Sequence, residues 1–447
     1  MKRYGLGSFL FGFEAPVDRS SYLRWGLGLM VGKFAIDSLA LRVFADRTLT
    51  PVEYLAPSAL LRGTIESTPA VQLLLLAWTL PFIWIGLSMS IRRAIDSGKP
   101  ASLGICFLLP GLNYVLMLAL ALAPSRPATP RPLSRSKRSA LLGVAYGSVL
   151  SVCMAAFSAT VLQDYGSSLF FTTPVVLGFV SAWFFNRGEP QSASATFAVA
   201  SFALLLTSSM LLLFAIEGIL CLLMALPLAL PLACVGAMFG RFVALTPMPG
   251  GSTAAVLIPA LGLPLGASFE SKTHGRAPLR EVVTSIEIAA PPEQVWPHVL
   301  DFPELPPPHQ LVLLAGIAYP VRAHLEGRGV GAIRRCEFST GAFVEPITRF
   351  EPPHRLSFDV VEQPLPLHEV SPYRDLHPPH LDGYFRSRRG EFRLVALVGG
   401  RTRLEGSTWY ELDLEPLPYW SVWSDFLLHT IHERVLGHVR ALAERTR

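Results

Sequence analysis

Long apolar runs dominate the first 270 residues of the chain. A bilayer core of about 30 Å is crossed by a helix of about 20 mostly apolar residues. Two weaker runs are 22–45, which contains four charged residues, and 253–267, which contains Pro259 and Pro264. Six stronger runs lie at 70–91, 101–123, 139–162, 168–186, 194–216 and 219–240. The pattern therefore predicts a helical membrane region of seven or eight spans.

Apolar and polar residues begin to alternate after about residue 280. Residues 282–288 form a predicted strand with one apolar face, and Pro291-Pro292 then begin a short helix. Gly399-Gly400 is a two-residue hairpin turn, and apolar residues recur at helical spacing over 419–444. Further strands are predicted at 319–327, 331–339, 342–350, 354–362, 390–398 and 402–414. This order predicts an α+β domain that ends in a long amphipathic helix.

A curved antiparallel sheet wrapped around such a helix leaves a space between the two. If the inner wall is apolar, that space is a ligand pocket. The chain is therefore divided into a membrane bundle at 1–125, a second multi-span region at 126–267, a linker at 268–280 and a ligand-binding domain at 281–447.

Composition agrees with a membrane protein. The chain is 51% hydrophobic and 16% charged, whereas a soluble chain carries about 25% charged residues. The net charge of +5 comes from the membrane half, so the basic residues indicate membrane flanks rather than a nucleic-acid surface. We expect no cleavable signal peptide and no cofactor. Cys336 is the only cysteine after residue 270, which leaves that domain without an internal disulfide.

A set of short motifs is spread over the first 125 residues: Phe11-Gly12, Asp18–Tyr22, Leu80-Pro81, Ile91–Gly98 and Leu109–Gly111. With these motifs the segment resembles the bacterial inner-membrane family called domain of unknown function 805. The match is partial, because Ala94-Ile95 stands where that family has Leu-His. The resemblance implies a small membrane bundle in the inner membrane and no established chemistry.

Basic residues on either side of 101–123 complicate the predicted topology. The segments 92–99 and 126–138 are both basic, and the positive-inside rule favours the cytoplasm for both. A return of the chain at Pro110-Gly111 would reconcile them. The C-terminal domain is expected on the cytoplasmic side. Arg92, Arg93 and Asp96 either fix helix packing at the membrane surface or contact a headgroup, and we prefer the first interpretation.

The C-terminal part resembles the START-like, or SRPBCC, superfamily of polyketide cyclases and lipid-binding domains. Ile286–Trp296 resembles its opening strand and helix, and Gly329–Arg335 with the closing helix resembles its helix-grip pattern. The resemblance implies a hydrophobic ligand. It does not decide between binding and catalysis, because only some members are enzymes.

Candidate ligand-binding residues have aromatic, imidazole or carboxylate side chains on the predicted strands and helices. An inward carboxylate can act as a general acid or base, or it can pair with Arg334 or Arg335, and we prefer the ion pair. No catalytic residue is assigned. The candidates outside loops are Trp296, Glu337, Glu345, Trp409, Trp423 and His429.

A proline-rich stretch at 363–384 is predicted to be a long loop between strands. It supplies three further candidate ligand-binding residues, His368, His377 and His380. A zinc or iron site is conceivable there, but the histidines lack the i, i+4 spacing of a helical metal site. We therefore predict a hydrogen-bonded loop and no metal.

These observations favour membrane-tethered binding of a lipid or other hydrophobic small molecule. One alternative is a cyclase- or hydratase-like enzyme that acts on an apolar substrate in the same space. Another is a membrane transport or assembly factor. The expected partners are membrane lipids and the hydrophobic ligand, and no nucleic acid.

Overall fold

The structure, a computed structural model, forms two compact units. One comprises Met1–Glu270 with Ser371–Leu376, and the other comprises Ser271–Val370 with His377–Arg447. We call them the helical unit and the sheet domain. The residues described are 5–13, 17–46, 48, 50, 51, 54, 69–109, 111–125, 134–162, 165–214, 216–246, 262, 266, 277–371 and 376–445.

The main helices of the helical unit begin at polar or conformationally permissive residues. Asp18, Ser134 and Ser192 each accept a hydrogen bond from a backbone N–H in the first turn of a helix. The helices are α1 (Leu6–Phe11), α2 (Arg19–Ala45), α3 (Pro69–Asp96), α4 (Leu112–Leu122), α5 (Arg135–Phe157), α6 (Ser167–Asn186), α7 (Ala193–Leu213) and α8 (Ile219–Leu245).

Four helices, α5 to α8, are long and apolar enough to cross a membrane among the residues described. This number is smaller than the seven or eight spans predicted. The predicted span 22–45 lies in α2, whose charges lower its apolar character, and Lys33 pairs with Asp37 in that helix. The predicted span 70–91 lies in α3, which ends in Arg92, Arg93 and Asp96. The predicted run 253–267 falls almost wholly outside the described residues.

The predicted span 101–123 is not one helix. Its first part is a 3-10 helix at Ala101–Leu108, and its second part is α4. Gly111, which precedes α4, has a φ of 79° that favours glycine and interrupts the helical backbone. Each piece is too short to cross a bilayer core by itself.

Glycines allow α6 and α8 to pack backbone against backbone. A Cβ atom at Gly178 would lie 1.9 Å from the carbonyl oxygen of Ala233. A Cβ atom at Gly236 would lie 2.0 Å from the carbonyl oxygen of Val175. Small residues at helix interfaces are typical of membrane bundles, since lipid supplies no hydrophobic drive for association.

The sheet domain is one antiparallel sheet of seven strands with the order β1-β7-β6-β5-β4-β3-β2. The strands are β1 (Leu279–Ile288), β2 (Pro320–Glu326), β3 (Ile333–Phe338), β4 (Gly341–Glu351), β5 (Arg355–Asp359), β6 (Phe385–Leu397) and β7 (Arg401–Leu412). Three helices accompany them: α9 (Pro292–Leu300), α10 (Leu311–Leu314) and α11 (Leu417–Arg445). The predicted strands and long closing helix are therefore present.

The core of the sheet domain lies between one face of the sheet and the helices α9 and α11. We call this face of the sheet the inner face. Its buried strand residues include Ile288, Ile347, Leu356, Leu394 and Leu404, and they form one apolar cluster with Val435, Leu436 and Val439 of α11. The alternation in the sequence selects these residues because every second side chain on a strand points to the same face.

Candidate functional site

The inner face keeps solvent-accessible aromatic surface at the middle of the sheet. Phe392 lies on β6, where strands on both sides cover its edges, and it is opposite Leu356 and Gly406. It nevertheless remains only partly buried, as do Phe338 and Phe343 near the β3–β4 turn. Part of the surface of Phe392 on this central strand therefore remains accessible to solvent, although the residue packs against the core.

A buried ion pair lies among these aromatic residues. Arg334 on β3 is directly opposite Glu345 on β4, and its guanidinium donates a hydrogen bond to the Glu345 carboxylate. Arg334 is 2% exposed. Its guanidinium carbon lies 5.6, 5.4 and 5.6 Å from the ring centroids of Phe302, Phe358 and Phe392. A cation enclosed by ring faces is stabilised by their electron density.

Burial changes the pKa of Glu345, which belongs to this ion pair, and of the neighbouring Cys336. Burial raises the pKa of the Glu345 carboxyl, and the positive charge of Arg334 opposes that shift. Burial also raises the pKa of the Cys336 thiol to about 12. Because a thiolate is the nucleophilic form of cysteine, Cys336 does not act as a nucleophile near neutral pH.

Four polar side chains fasten α11 to the sheet, and we call them the helix latch: Thr284, Thr408, His429 and His432. The Thr284 hydroxyl lies 2.7 Å from Nδ1 of His429 and 3.0 Å from Nδ1 of His432. Nε2 of His432 lies 2.8 Å from the Thr408 hydroxyl. Burial, with a smaller contribution from His429, lowers the pKa of His432 to about 4, so this imidazole is neutral at pH 7.

Two candidate residues from the sequence lie on the outer face of the sheet. Glu337 alternates with the inward Cys336, is half-buried, and accepts hydrogen bonds of 2.7 and 2.9 Å from Arg322. Trp409 alternates with the inward Tyr410 and lies 4.8 Å from the guanidinium of Arg389. The structure therefore does not bring Glu337 and Trp409 to the inner-face cluster, because strand register places them on the opposite face.

The remaining aromatic candidates belong to helices. Trp296 of α9 is buried in the core and packs edge-on against Phe350, with ring centroids 5.5 Å apart. Trp423 of α11 is partly buried. His429 is exposed apart from its contact in the helix latch. Glu345 and His429 therefore lie at the inner face, whereas Trp296 is mainly a packing residue of the core.

The described parts of the stretch 363–384 form a loop that is held by backbone hydrogen bonds. The backbone N–H of His368 donates to the carbonyl of Gly316 at 2.8 Å. His377 lies 2.8 Å from Asp382, and His380 is buried with its pKa lowered to about 4 by burial. The predicted members Tyr373, Arg374 and Asp375 lie outside the described residues.

Sequence reasoning named Arg334 only as a partner for a carboxylate and did not assign a role to Thr284, Thr408 or His432. The signal for Arg334 was present in β3. Cys336 and Phe338 are apolar and share one face of that strand, and Arg334 lies on the same face because side chains alternate. His429 and His432 lie three residues apart on α11, but Thr284 and Thr408 lie far from them in the chain, so no sequence signal indicated that the four residues meet.

Comparison with protein families agrees with this division of the chain. Residues 10–131 match the family described as a protein of unknown function, domain 805. Residues 280–416 match the family described as polyketide cyclase / dehydrase and lipid transport. Both segments correspond to the resemblances noted in the sequence. No curated protein matches the chain as a relative.

Several solved structures are similar to the sheet domain. A protein from Chromobacterium violaceum is 18% identical, with 37% of this chain and 96% of that chain covered and a TM-score of 0.25. A protein from Nitrosomonas europaea is 12% identical, with 37% and 95% covered and a TM-score of 0.24. Norcoclaurine synthase from Thalictrum flavum, solved with dopamine and hydroxybenzaldehyde, is 13% identical, with 38% and 90% covered and a TM-score of 0.26.

Proposed function

We propose that the sheet domain binds a lipid or another hydrophobic small molecule against the inner face of its sheet. The observation that carries this proposal is the accessible aromatic surface of Phe392 on a central strand. A folded domain ordinarily covers such a position with side chains of its own. An apolar concavity with few polar groups is the usual form of a small-molecule site. The match of residues 280–416 to a family of cyclases and lipid-transport domains supports the same conclusion.

We further propose that the helical unit holds this domain at a membrane. Four apolar helices of sufficient length support a membrane location, and the match of residues 10–131 supports it as well. Anchoring raises the local concentration of a membrane-soluble ligand, which makes modest affinity useful. The bacterial inner membrane, a cytoplasmic position for the sheet domain, and the domain boundaries at 125, 267 and 280 are parts of this proposal.

Acid–base catalysis in the same space is a second candidate. Glu345 faces inward, and burial raises the pKa of its carboxyl, as general acids require. Its hydrogen bond to Arg334 instead supports an ion pair with a binding role. Binding therefore ranks first. A product that differs in mass from the ligand, formed by wild-type protein and not by a Glu345→Gln variant, would reverse this ranking.

The test is to identify what the full-length protein retains during purification in mild detergent. Solvent extraction followed by mass spectrometry should reveal a hydrophobic molecule at near-stoichiometric amount. Lipids also adhere to membrane helices, so a comparison between variants is needed. Phe392→Trp adds bulk to the inner face and should abolish retention of that molecule.

The matched control is Arg393→Trp, which adds the same side chain to the outer face of the same strand. Arg393 is exposed, so this variant should retain the molecule at the wild-type amount. Equal retention by wild type, Phe392→Trp and Arg393→Trp would contradict binding at the inner face.

A further inference from the structure

The guanidinium of Arg334 has a buried donor without an acceptor. Arginine carries five N–H groups and no acceptor. The Glu345 carboxylate accepts a hydrogen bond from one of the terminal nitrogens, and the Cys336 side chain is a second hydrogen-bond partner of the guanidinium. The Nε atom is buried and has no hydrogen-bond partner. Buried donors without acceptors are uncommon in native proteins, so each one needs a physical explanation.

The surroundings of this donor are aromatic. Phe302, Phe358 and Phe392 enclose the guanidinium, and their rings stabilise its charge without supplying an oxygen acceptor. Of the three, Phe302 and Phe358 are buried, whereas Phe392 is only partly buried. A molecule that lies against Phe392 is therefore within reach of the group formed by Arg334 and Glu345.

We infer that the ligand is an apolar molecule with one neutral acceptor oxygen, a carbonyl or hydroxyl, that accepts a hydrogen bond from Nε of Arg334. This inference rests on the proposed function, because it requires a ligand at the inner face. The apolar body lies against the phenylalanine rings, and the oxygen is the single polar group that enters the site. The Arg334–Glu345 pair then orients the ligand as well as stabilising the sheet.

Charge balance selects a neutral oxygen over a carboxylate. Arg334 and Glu345 already neutralise each other. A carboxylate ligand would leave a net negative charge in an apolar surrounding, and an unpaired buried charge is far more costly than an unpaired neutral group. Fatty acids should therefore bind less well than ketones or alcohols of the same chain length.

The experiment uses full-length protein in detergent and native mass spectrometry, with three probes of equal chain length: hexadecane, hexadecan-2-one and hexadecanoic acid. Wild-type protein should bind the ketone about tenfold more tightly than the alkane, which is the size expected for one hydrogen bond to a charged donor. The acid should bind no more tightly than the alkane.

The decisive variant replaces both members of the ion pair, Arg334→Met with Glu345→Leu, because apolar replacement of a buried pair usually preserves folding. It should bind the ketone no more tightly than hexadecane. Arg334→Lys, which keeps the charge but lacks the Nε donor, provides a second variant. It should also lose the preference.

The outcomes separate this inference from the proposed function. Failure of all three probes to bind wild-type protein would overturn both. Equal binding of ketone and alkane by wild type would overturn the inference alone and leave apolar binding intact. Tighter binding of hexadecanoic acid, or a ketone preference that survives in the double variant, would overturn it as well.

Discussion

Arg93 in the helical unit and Arg334 in the sheet domain are both buried, but they have different surroundings. Arg93 in α3 is fully buried and donates to the carbonyl oxygens of Leu120, at 3.1 Å, and Ala123. It also pairs with Asp96. Arg334 in the sheet domain has one carboxylate, three aromatic rings and an unpaired Nε. The two side chains are equally hidden from solvent, but only the first has its donors matched by acceptors of the protein.

The difference shows how the acceptors around a buried cation indicate its role. The carbonyls of Leu120 and Ala123 lie at the carboxyl end of α4, where a positive charge is favourable and helix carbonyls lack intrahelical partners. Arg93 therefore joins the ends of α3 and α4, in agreement with the packing interpretation of Arg92, Arg93 and Asp96. Arg334 has no such structural account for its Nε, and this asymmetry is why it is assigned to ligand recognition.

The largest effect should follow from removing one member of the sheet-domain pair. Glu345→Ala leaves Arg334 buried without its counter-ion, and breaking a buried pair in this way costs about 3–5 kcal/mol. Hydrogen–deuterium exchange of β3 and β4 in the full-length protein should become correspondingly faster. The double variant with Arg334→Met and Glu345→Leu should exchange at nearly the wild-type rate. If exchange of β3 and β4 became equally faster in Glu345→Ala and in the double variant, packing rather than charge would stabilise these strands.

Substitution of Arg93 tests the structural role of the buried arginine in the helical unit. Arg93→Met deprives two carbonyls of charged hydrogen bonds, each worth about 1.5 kcal/mol or more, so a loss of about 3 kcal/mol is expected. Thermal unfolding of the helical unit in detergent measures it. Arg19→Met is the control, since Arg19 also donates to α4, at the Ala121 carbonyl, but is exposed. A larger loss of stability in Arg19→Met than in Arg93→Met would refute a special role for Arg93.

A milder effect is expected from the helix latch, through pH. The pKa of His432 is about 4 in the folded protein against its ordinary value of 6.5. In the unfolded chain the His432 imidazole binds a proton below about pH 6.5, whereas in the folded protein it binds one only below about pH 4. Stability therefore falls as the pH drops through this window, by about 2 kcal/mol at pH 5. Exchange rates of α11 measured at pH 7 and pH 5 report this change.

The matched variant for this measurement is His432→Gln, which keeps polar atoms near Thr284 and Thr408 but cannot titrate. Its α11 should show a weaker dependence on pH than the wild type does. The same dependence in both proteins would mean that other histidines, such as the buried His380, set the acid sensitivity.

The smallest effect should come from the outer face. Glu337→Ala removes the exposed ion pair with Arg322, and exposed pairs contribute little because water screens them. No measurable change in β3 exchange or in ligand retention is expected. A loss of ligand in this variant would show that the outer face takes part in binding, and the assignment of the site to the inner face would then fail.

Much of the sheet domain could be predicted because its information is local. Alternation selected the strands, and the Gly399-Gly400 turn, with φ values of 82° and 68°, joins β6 and β7 as predicted. The assignment of candidates to a face was less successful. Glu345 faces inward, but Glu337 and Trp409 do not, since a shift of one residue along a strand changes the face and the sequence alone left that register open.

The number of membrane helices shows the same limit in the helical unit. Apolar length alone predicted a span at 101–123, whereas the structure has two short helices interrupted before Gly111. A hydropathy profile averages over a window of residues, so it does not detect a position where the helical backbone is interrupted. The charges at the end of α3 likewise require knowledge of their partners, such as the Leu120 carbonyl for Arg93.

By itself, the sequence determined that an apolar helical region precedes an α+β domain closed by an amphipathic helix, because hydrophobic periodicity and turn residues act over a few positions. Tertiary structure alone decided which polar groups meet. Arg334 and Glu345 become neighbours through the register of β3 and β4, and Thr284, Thr408 and His432 through the packing of α11. Hydrogen bonds and burial depend on distances between segments that the order of residues does not specify, and the candidate site is made of those distances.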